Sequence, residues 1–286
     1  MHRIKDFGKL IKFRVNIIVV FSSLLGYFIG SQGENIQLMH IIGLSFGGFF
    51  TTGAAHAINQ ILERKYDAIM SRTKDRPLPT NRMSVKEVTV YATLMAILGT
   101  LFFLIFTNRE TVILSVLSLL VYSFIYTPLK RINSIAVIIG AIPGALPPAI
   151  GYVAYTGVVD QLAIFLFLLQ FFWQFPHFWS IAWIWDEEYS KAGYKLLPLG
   201  KGKTYTNAFI TFLSSLTLIP LIIYLYINYD INIIYFIAIV ILTLLFNYKA
   251  YLFFKKPDTV EAKKMMVQSV IYLPIVQIIF VLAFWL

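Results

Sequence analysis

Cysteine is missing from this sequence of 286 residues, which excludes disulfides, thiolate metal sites and cysteine nucleophiles. Charge is scarce too. Only 13% of residues are Asp, Glu, Lys or Arg, against about 25% in soluble domains. Hydrophobic residues make up 58%, against about 45–50%. Such a chain cannot cover a soluble core with polar surface, and it belongs in a bilayer. The basic start "MHRIKDFGKLIKFR" is followed by no cleavage site of the A-x-A type, so the first apolar run is expected to stay as a helix. Ile4, Phe7, Leu10 and Ile11 recur there at helical intervals, which suits a helix lying in the membrane interface.

Apolar runs between polar punctuation predict an all-α polytopic membrane protein with nine spans, near 15–30, 38–58, 85–106, 111–128, 134–153, 161–185, 206–227, 231–248 and 265–285. Residues 1–286 read as a single membrane-embedded domain with two long connections, 59–84 and 186–205. Long connections are where function tends to sit. Placing the N-terminus inside puts every one of the 24 Lys and Arg residues except Arg109 on the cytoplasmic side, as the positive-inside rule requires. The net charge of +10 is therefore a topology signal, and nucleic acid is not an expected partner.

The first long connection holds "NQILERKYDAIMSRTKDRPLP", residues 59–79. Asn59, Glu63 and Asp67 stand at i, i+4 and i+8, one ladder of oxygen ligands on a helix, with His56 and Gln60 beside it. Carboxylates this close repel unless a cation lies between them. Mg²⁺ suits them, since it takes one or two carboxylates and shares its other positions with water and phosphate. Arg64, Lys65, Arg72, Lys74, Arg76 and Arg82 outnumber the local acids Glu63, Asp67 and Asp75, which points to a polyanion such as diphosphate. An ordinary positive-inside loop with solvated carboxylates would use the same residue types. The regular ladder and the closing Arg-Pro-Leu-Pro favour function.

The second connection echoes the first. Asp67 lies twelve residues before Pro79, and Asp186 twelve before Pro198, as if two related helical units built one site. Asp186, Glu187 and Glu188 are expected to end the sixth span, where the macrodipole disfavours anions, so something positive should compensate them. Within that span, "FFWQFPHFW" carries Gln174, Pro176 and His177. Pro176 should kink the helix and free a carbonyl. A histidine at membrane depth is a functional candidate, with a satisfied interhelical hydrogen bond as the alternative.

These stretches, with "KLIKFRV" (9–15), "YTPLKR" (126–131), "GALPPAIGYVAYTG" (144–157), "QFPHFW" (174–179) and "EEYSKAGYKLLP" (187–198), resemble UbiA-type intramembrane prenyltransferases over nearly the whole chain. Gln60 and Glu63, with Met70, Arg72, Thr73 and Arg76 to Pro79, resemble the branch that farnesylates protohaem IX. The resemblance implies a helical bundle around a central apolar chamber opening near the cytoplasmic face. It implies an enzyme transferring farnesyl from farnesyl diphosphate to a vinyl group of haem B, with water addition, to give haem O. It places Mg²⁺ on Asn59, Glu63 and Asp67 and on Glu187 and Glu188, with Arg64, Arg72, Arg76, Lys130 and Lys195 clamping the diphosphate. His177 falls on the haem side, beside Gln174 and Trp179, orienting either haem or the water. Membrane lipids surround the chain, and haem A synthase or oxidase-assembly proteins are implied as partners. A bacterial plasma membrane is expected, because the family-like start lies within nine residues of Met1 and leaves no room for a transit peptide. A related enzyme acting on a quinone precursor or a lipid would share the metal site. A transporter would place its ionisable groups near the midplane instead.

Overall fold

The computed structural model describes residues 2–200 and 202–286, and among them every regular element is helical. The hydrocarbon core of a bilayer offers no water to backbone N–H and C=O groups, so each span must satisfy them within itself. The helices are α1 (His2–Leu10), α2 (Phe13–Ser31), α3 (Leu38–Asp67), α4 (Val85–Phe106), α5 (Arg109–Leu129), α6 (Ala136–Thr156), α7 (Gln161–Ile184), α8 (Asp186–Lys191), α9 (Tyr205–Asn228), α10 (Ile233–Lys255) and α11 (Thr259–Trp285). Among the described residues, nine of them are long and apolar enough to cross a membrane.

The nine expected spans are all present, and three are longer than hydropathy implies. Helix α3 runs on to Asp67, α10 runs on to Lys255, and α11 begins at Thr259. Hydropathy registers the change of solvent, whereas a helix can continue past the hydrocarbon edge with its hydrogen bonds intact. The extension of α3 matters most, because the expected loop 59–84 opens with two further helical turns that carry the ladder. Side-chain caps set several starts: Ser84 accepts from Glu87 N, Asn108 from Thr111 N, and Asp258 from Glu261 N.

The molecule is apolar outside and partly polar within, the inverse of a soluble protein. Ile97, Leu101 and Leu104 of α4 and Ile241 and Leu244 of α10 face outward, while Asn16, Gln170, Gln174, Asn207 and Gln277 are buried. Helix α6 is the most enclosed span, packed against α2, α5 and α7, and α11 closes the ring by touching both α7 and α2. Helices α2 and α6 cross in backbone contact: a Cβ at Gly26 would lie 1.9 Å from Pro148 O, and one at Gly151 would lie 1.7 Å from Ser23 O. Only glycine permits that approach, and it leaves room for a cavity between α2, α3, α5, α6, α7 and α11.

Candidate active site

The cavity has a volume of about 640 Å³. One end is charged and lies where α3, the 68–84 segment and the 130–134 turn meet. From there it runs inward between apolar walls. Helix α5 departs from α-geometry to serve the charged end: Val121–Tyr126 forms a π-helical segment, a local widening often found at functional sites. Tyr122 and Tyr126, both in this segment, line the cavity, their ring centroids 5.3 Å apart. Thr127 Oγ1 donates to Tyr122 O at 2.8 Å.

At this end two buried carboxylates each meet a cation. Lys130 Nζ lies 2.5 Å from Glu63 Oε1, and Arg76 Nη1 lies 2.7 Å from Asp67 Oδ2. Asn59 Nδ2 donates to Glu63 Oε2 at 2.8 Å and to Thr127 Oγ1 at 3.1 Å. Asp67 Oδ1 is buried without a hydrogen-bond partner. Arg72 also lines the cavity, its guanidinium held by Tyr189 OH at 3.1 Å. Lys12 joins them from the start of α2, in a left-handed backbone conformation (φ 48°) that breaks the helix between α1 and α2. Burial, then the charges of Arg76 and Lys130, pull its ammonium down to about 7 against the opposing pull of Glu63. Burial also works against the charge of Lys130, but Glu63, followed by Tyr126 and Tyr122, outweighs it and holds that ammonium above its ordinary range. Lys12, Arg72, Arg76 and Lys130 against Glu63 and Asp67 leave this end net positive, so it favours an anion.

Not every expected residue reaches the cavity. Arg64 folds back to donate to Ile61 O at 2.7 Å. Lys195 meets Lys130 only through the backbone, N to O at 3.2 Å, and its exposed side chain is not part of the wall. Trp179 is buried against Phe175, with rings 5.1 Å apart, also off the wall. Gln60 turns away from the ladder, its Nε2 donating to Lys9 O at 3.0 Å and Leu10 O at 2.8 Å, which ties down the end of α1. Glu187 is exposed. Glu188 accepts from Ser71 N at 2.5 Å and pairs with Lys191 at 3.5 Å. Ser71's backbone N–H is the main reason its carboxyl lies below the usual range.

The expected helix end around Asp186 is overturned. Helix α7 stops at Ile184, and Asp186, Glu187 and Glu188 form the first turn of a new helix, α8. The macrodipole therefore favours these acids rather than opposing them. The two long connections do meet. Besides the Ser71–Glu188 and Arg72–Tyr189 bonds, Met70 packs with Ala192 and Tyr194.

No Asp, Glu, Lys or Arg among the described residues lines the inner part of the cavity, whose polar side chains are mainly Ser, Thr, Gln and His. Ser22 Oγ donates to Gln170 Oε1 at 3.1 Å, and Gln277 Nε2 donates to both, at 2.9 Å each. Gln174 Nε2 donates to Ala141 O and Gln170 O, each at 3.1 Å. His177 lines the chamber, with Nδ1 2.7 Å from Ser269 Oγ and its ring stacked on Trp173 at 4.9 Å. Helix α7 runs on through Pro176, whose carbonyl accepts from Ser180 Oγ at 2.6 Å. The sequence reading missed Lys12, Tyr122 and the Ser22–Gln170–Gln277 cluster. For Lys12 a signal was available, a basic residue opening the first span; the polar cluster joins three distant helices and had none.

Mg²⁺ can be tested against these side chains. Among the described residues, no group of three or more His, Asp or Glu side chains is arranged to hold a metal ion. Mg²⁺ needs fewer, since one or two carboxylates suffice when phosphate and water supply the rest. Asp67 Oδ1, buried and unpartnered on the same ladder as Asn59 and Glu63, fits that demand.

A cationic end over paired carboxylates, opening into an apolar chamber between membrane helices, defines an enzyme for an amphiphile with an anionic head. Residues 19–273 match the UbiA prenyltransferase family, and the chain belongs to it: it is a membrane-embedded prenyltransferase. Its relatives narrow the branch. It is 44% identical over 276 residues to the protohaem IX farnesyltransferase of Cytophaga hutchinsonii, covering 96% of each chain. It is 38% identical to the protein of that name from Flavobacterium psychrophilum, covering 97% of this chain and 93% of the relative. Among solved structures it is similar to a digeranylgeranylglyceryl phosphate synthase, with TM-score 0.80 at 23% identity over 100% of this chain and 99% of the other. It is also similar to a UbiA homologue from Archaeoglobus fulgidus bound to GPP and Mg²⁺, with TM-score 0.69 at 16% identity over 98% and 99%. At those identities the two structures establish the fold.

Proposed function

We propose that this enzyme transfers a farnesyl group from farnesyl diphosphate to a vinyl group of haem B, with addition of water, to make haem O. The observation that carries the reading is the continuity of the cavity: a net-positive end suited to diphosphate leads directly into an apolar chamber suited to an isoprenoid and a porphyrin. The names of the curated relatives support the choice of farnesyl and haem.

In this reading Lys12, Arg72, Arg76 and Lys130 take the diphosphate oxygens, Arg76 and Lys130 exchanging their present partners Asp67 and Glu63 for the ligand. Asn59, Glu63 and Asp67 are thereby released to hold Mg²⁺, which when bound acts as a Lewis acid on the departing diphosphate. The allylic C–O bond breaks with its electron pair going to the diphosphate, whose growing charge the cations stabilise. The apolar walls keep water from the allylic cation, and Tyr122 and Tyr126 present π-faces near it. The vinyl π-electrons then form the new C–C bond. The cation left on the haem side chain takes up water, which loses a proton to become the hydroxyl. Gln174 and His177 belong to the haem side. Glu187 and Glu188 are the expected metal ligands of the second connection and Arg64 and Lys195 further expected diphosphate ligands; in the ligand-free protein Glu188 joins the two connections through Ser71 N, and Trp179 packs behind the cavity wall on Phe175.

The whole chain works as one domain, with its N-terminus and charged end towards the cytoplasm of a bacterial plasma membrane, and proteins of haem A synthesis or oxidase assembly take the product. The sequence's lack of cysteine makes the orientation testable: Ser71→Cys should react with an impermeant thiol reagent only from the cytoplasmic side. Labelling from outside reverses the topology. For the reaction, the purified protein is given farnesyl diphosphate, Mg²⁺ and haem B, and the product mass is read. Haem O is expected. Unchanged haem, together with transfer to a quinone precursor or a glyceryl phosphate, would reassign the acceptor.

A further inference from the structure

Ser269 holds two cavity side chains at once. Its carbonyl accepts from Trp173 Nε1 at 2.9 Å, and its hydroxyl lies 2.7 Å from His177 Nδ1. The hydroxyl has one proton, and that proton is donated to Met266 O at 2.6 Å. Towards His177 the oxygen can therefore only accept, so Nδ1 carries the ring hydrogen and Nε2 carries a lone pair. No described residue offers Nε2 a hydrogen bond, while the ring lines the chamber. The stack on Trp173, centroids 4.9 Å apart and planes within 14°, fixes the ring's plane as well as its tautomer.

A neutral imidazole so held can serve as a base or as a ligand, and the surroundings decide between them. Helix α7 contains no acidic residue, nor does α11 from residue 265 onward, and the neighbouring wall is Phe178, Val270, Leu273 and Pro274. A base would become an imidazolium among these apolar groups without a counter-ion. Ser269, committed to Met266, could not relay the proton onward. A ligand stays neutral, and an Nδ1–H bonded to an oxygen makes Nε2 a better donor to metal.

We infer that His177 Nε2 is an axial ligand to the iron of the porphyrin substrate, with Ser269 and Trp173 as positioning residues that fix its tautomer and plane. The inference rests on the haem reading given above. It goes further by assigning the bond that orients the macrocycle, so that ligation to one wall presents a vinyl edge towards the charged end of the cavity.

The test compares haem B with metal-free protoporphyrin IX, which has the same vinyl groups and no iron. Binding is followed by the Soret band for haem B and by fluorescence for the metal-free ring. Wild type should bind haem B at least tenfold more tightly than the metal-free ring and show an iron–histidine stretching band in the ferrous resonance Raman spectrum. His177→Ala should lose the band and the preference, bind metal-free porphyrin as wild type does, and regain the band with added imidazole. Ser269→Ala should keep the band at a shifted frequency and weaken haem B about 10- to 100-fold, with farnesyl diphosphate affinity unchanged. An iron–histidine band that persists in His177→Ala overturns the inference, as does its absence from wild type that still makes haem O. If His177→Ala binds neither ring, an unaltered band in Ser269→Ala overturns it and a shifted one sustains it. Wild type that binds neither ring and farnesylates no porphyrin refutes the haem reading itself.

Discussion

Replacing Lys130 with methionine should damage stability through the group it leaves behind. The Lys130 and Glu63 charges are 2.5 Å apart, with side chains only 11% and 8% exposed. At an effective dielectric of about 20 their attraction is about 7 kcal/mol. Desolvation of both ions offsets part of that, and removing one member of a buried pair typically costs about 3–5 kcal/mol, because the other charge remains unpaired. Lys130→Met should therefore lower the stability of the ligand-free protein by about that amount in equilibrium unfolding in mixed detergent micelles. Adding Glu63→Gln removes the stranded carboxylate while keeping an acceptor for Asn59, and should restore most of the loss. The remainder should be about 1 kcal/mol, from the cation–π contact of Nζ with Tyr126 at 4.8 Å. Both variants should lose most of their turnover, since each lacks one of the four cations proposed to take the diphosphate. If the double variant is as unstable as Lys130→Met alone, the cost comes from the lysine stem and not from a stranded carboxylate, and the pairing argument fails.

Asp67→Asn keeps the shape of the ladder and removes the carboxylate whose Oδ1 is buried without a partner; turnover should fall by orders of magnitude, and wild-type rates would remove Asp67 from the proposed metal site. Lys12 is held at about 7 when folded, against 10.5 ordinarily, so the unfolded chain binds more protons between those values. Ligand-free stability should then rise with pH across that window and stop rising in Lys12→Met. Diphosphate would restore the ammonium, so binding above pH 7 should take up a proton, seen by calorimetry in buffers of different ionisation enthalpy; no uptake would place the lysine away from the ligand. A Cβ at residue 144 would lie 2.1 Å from Gln174 Oε1, so Gly144→Ala should displace that side chain from Ala141 O and Gln170 O. The loss should be about 1–3 kcal/mol, and unfolding at the wild-type midpoint would show that Gln174 moves freely.

The spans were readable because the solvent makes them local. Each stretch in hydrocarbon must close its own hydrogen bonds, so hydropathy along the chain locates α2 to α7 and α9 to α11 without reference to their neighbours. The ladder was readable for the same reason, since i, i+4 and i+8 on one helix are neighbours by geometry alone. The end of α7 was misread because a run of three acids looks like the close of a span, whereas a break at Trp185 starts α8 and reverses the end of the dipole they meet.

Sequence alone determined that this is a helical membrane protein, that its charge gathers in the connections beside the spans, and that Asn59, Glu63 and Asp67 share a face. Tertiary structure decided which cations those acids meet: Arg76 for Asp67, Lys130 for Glu63, with Lys12 arriving from the start of α2 and Arg64 turning away. It also decided which ring nitrogen of His177 is engaged, because the partner of Nδ1 is Ser269, ninety-two residues along the chain. Charge count and helical period are properties of a segment. The partner of a charge, or of a ring nitrogen, depends on which helices pack together, and no single segment carries that information.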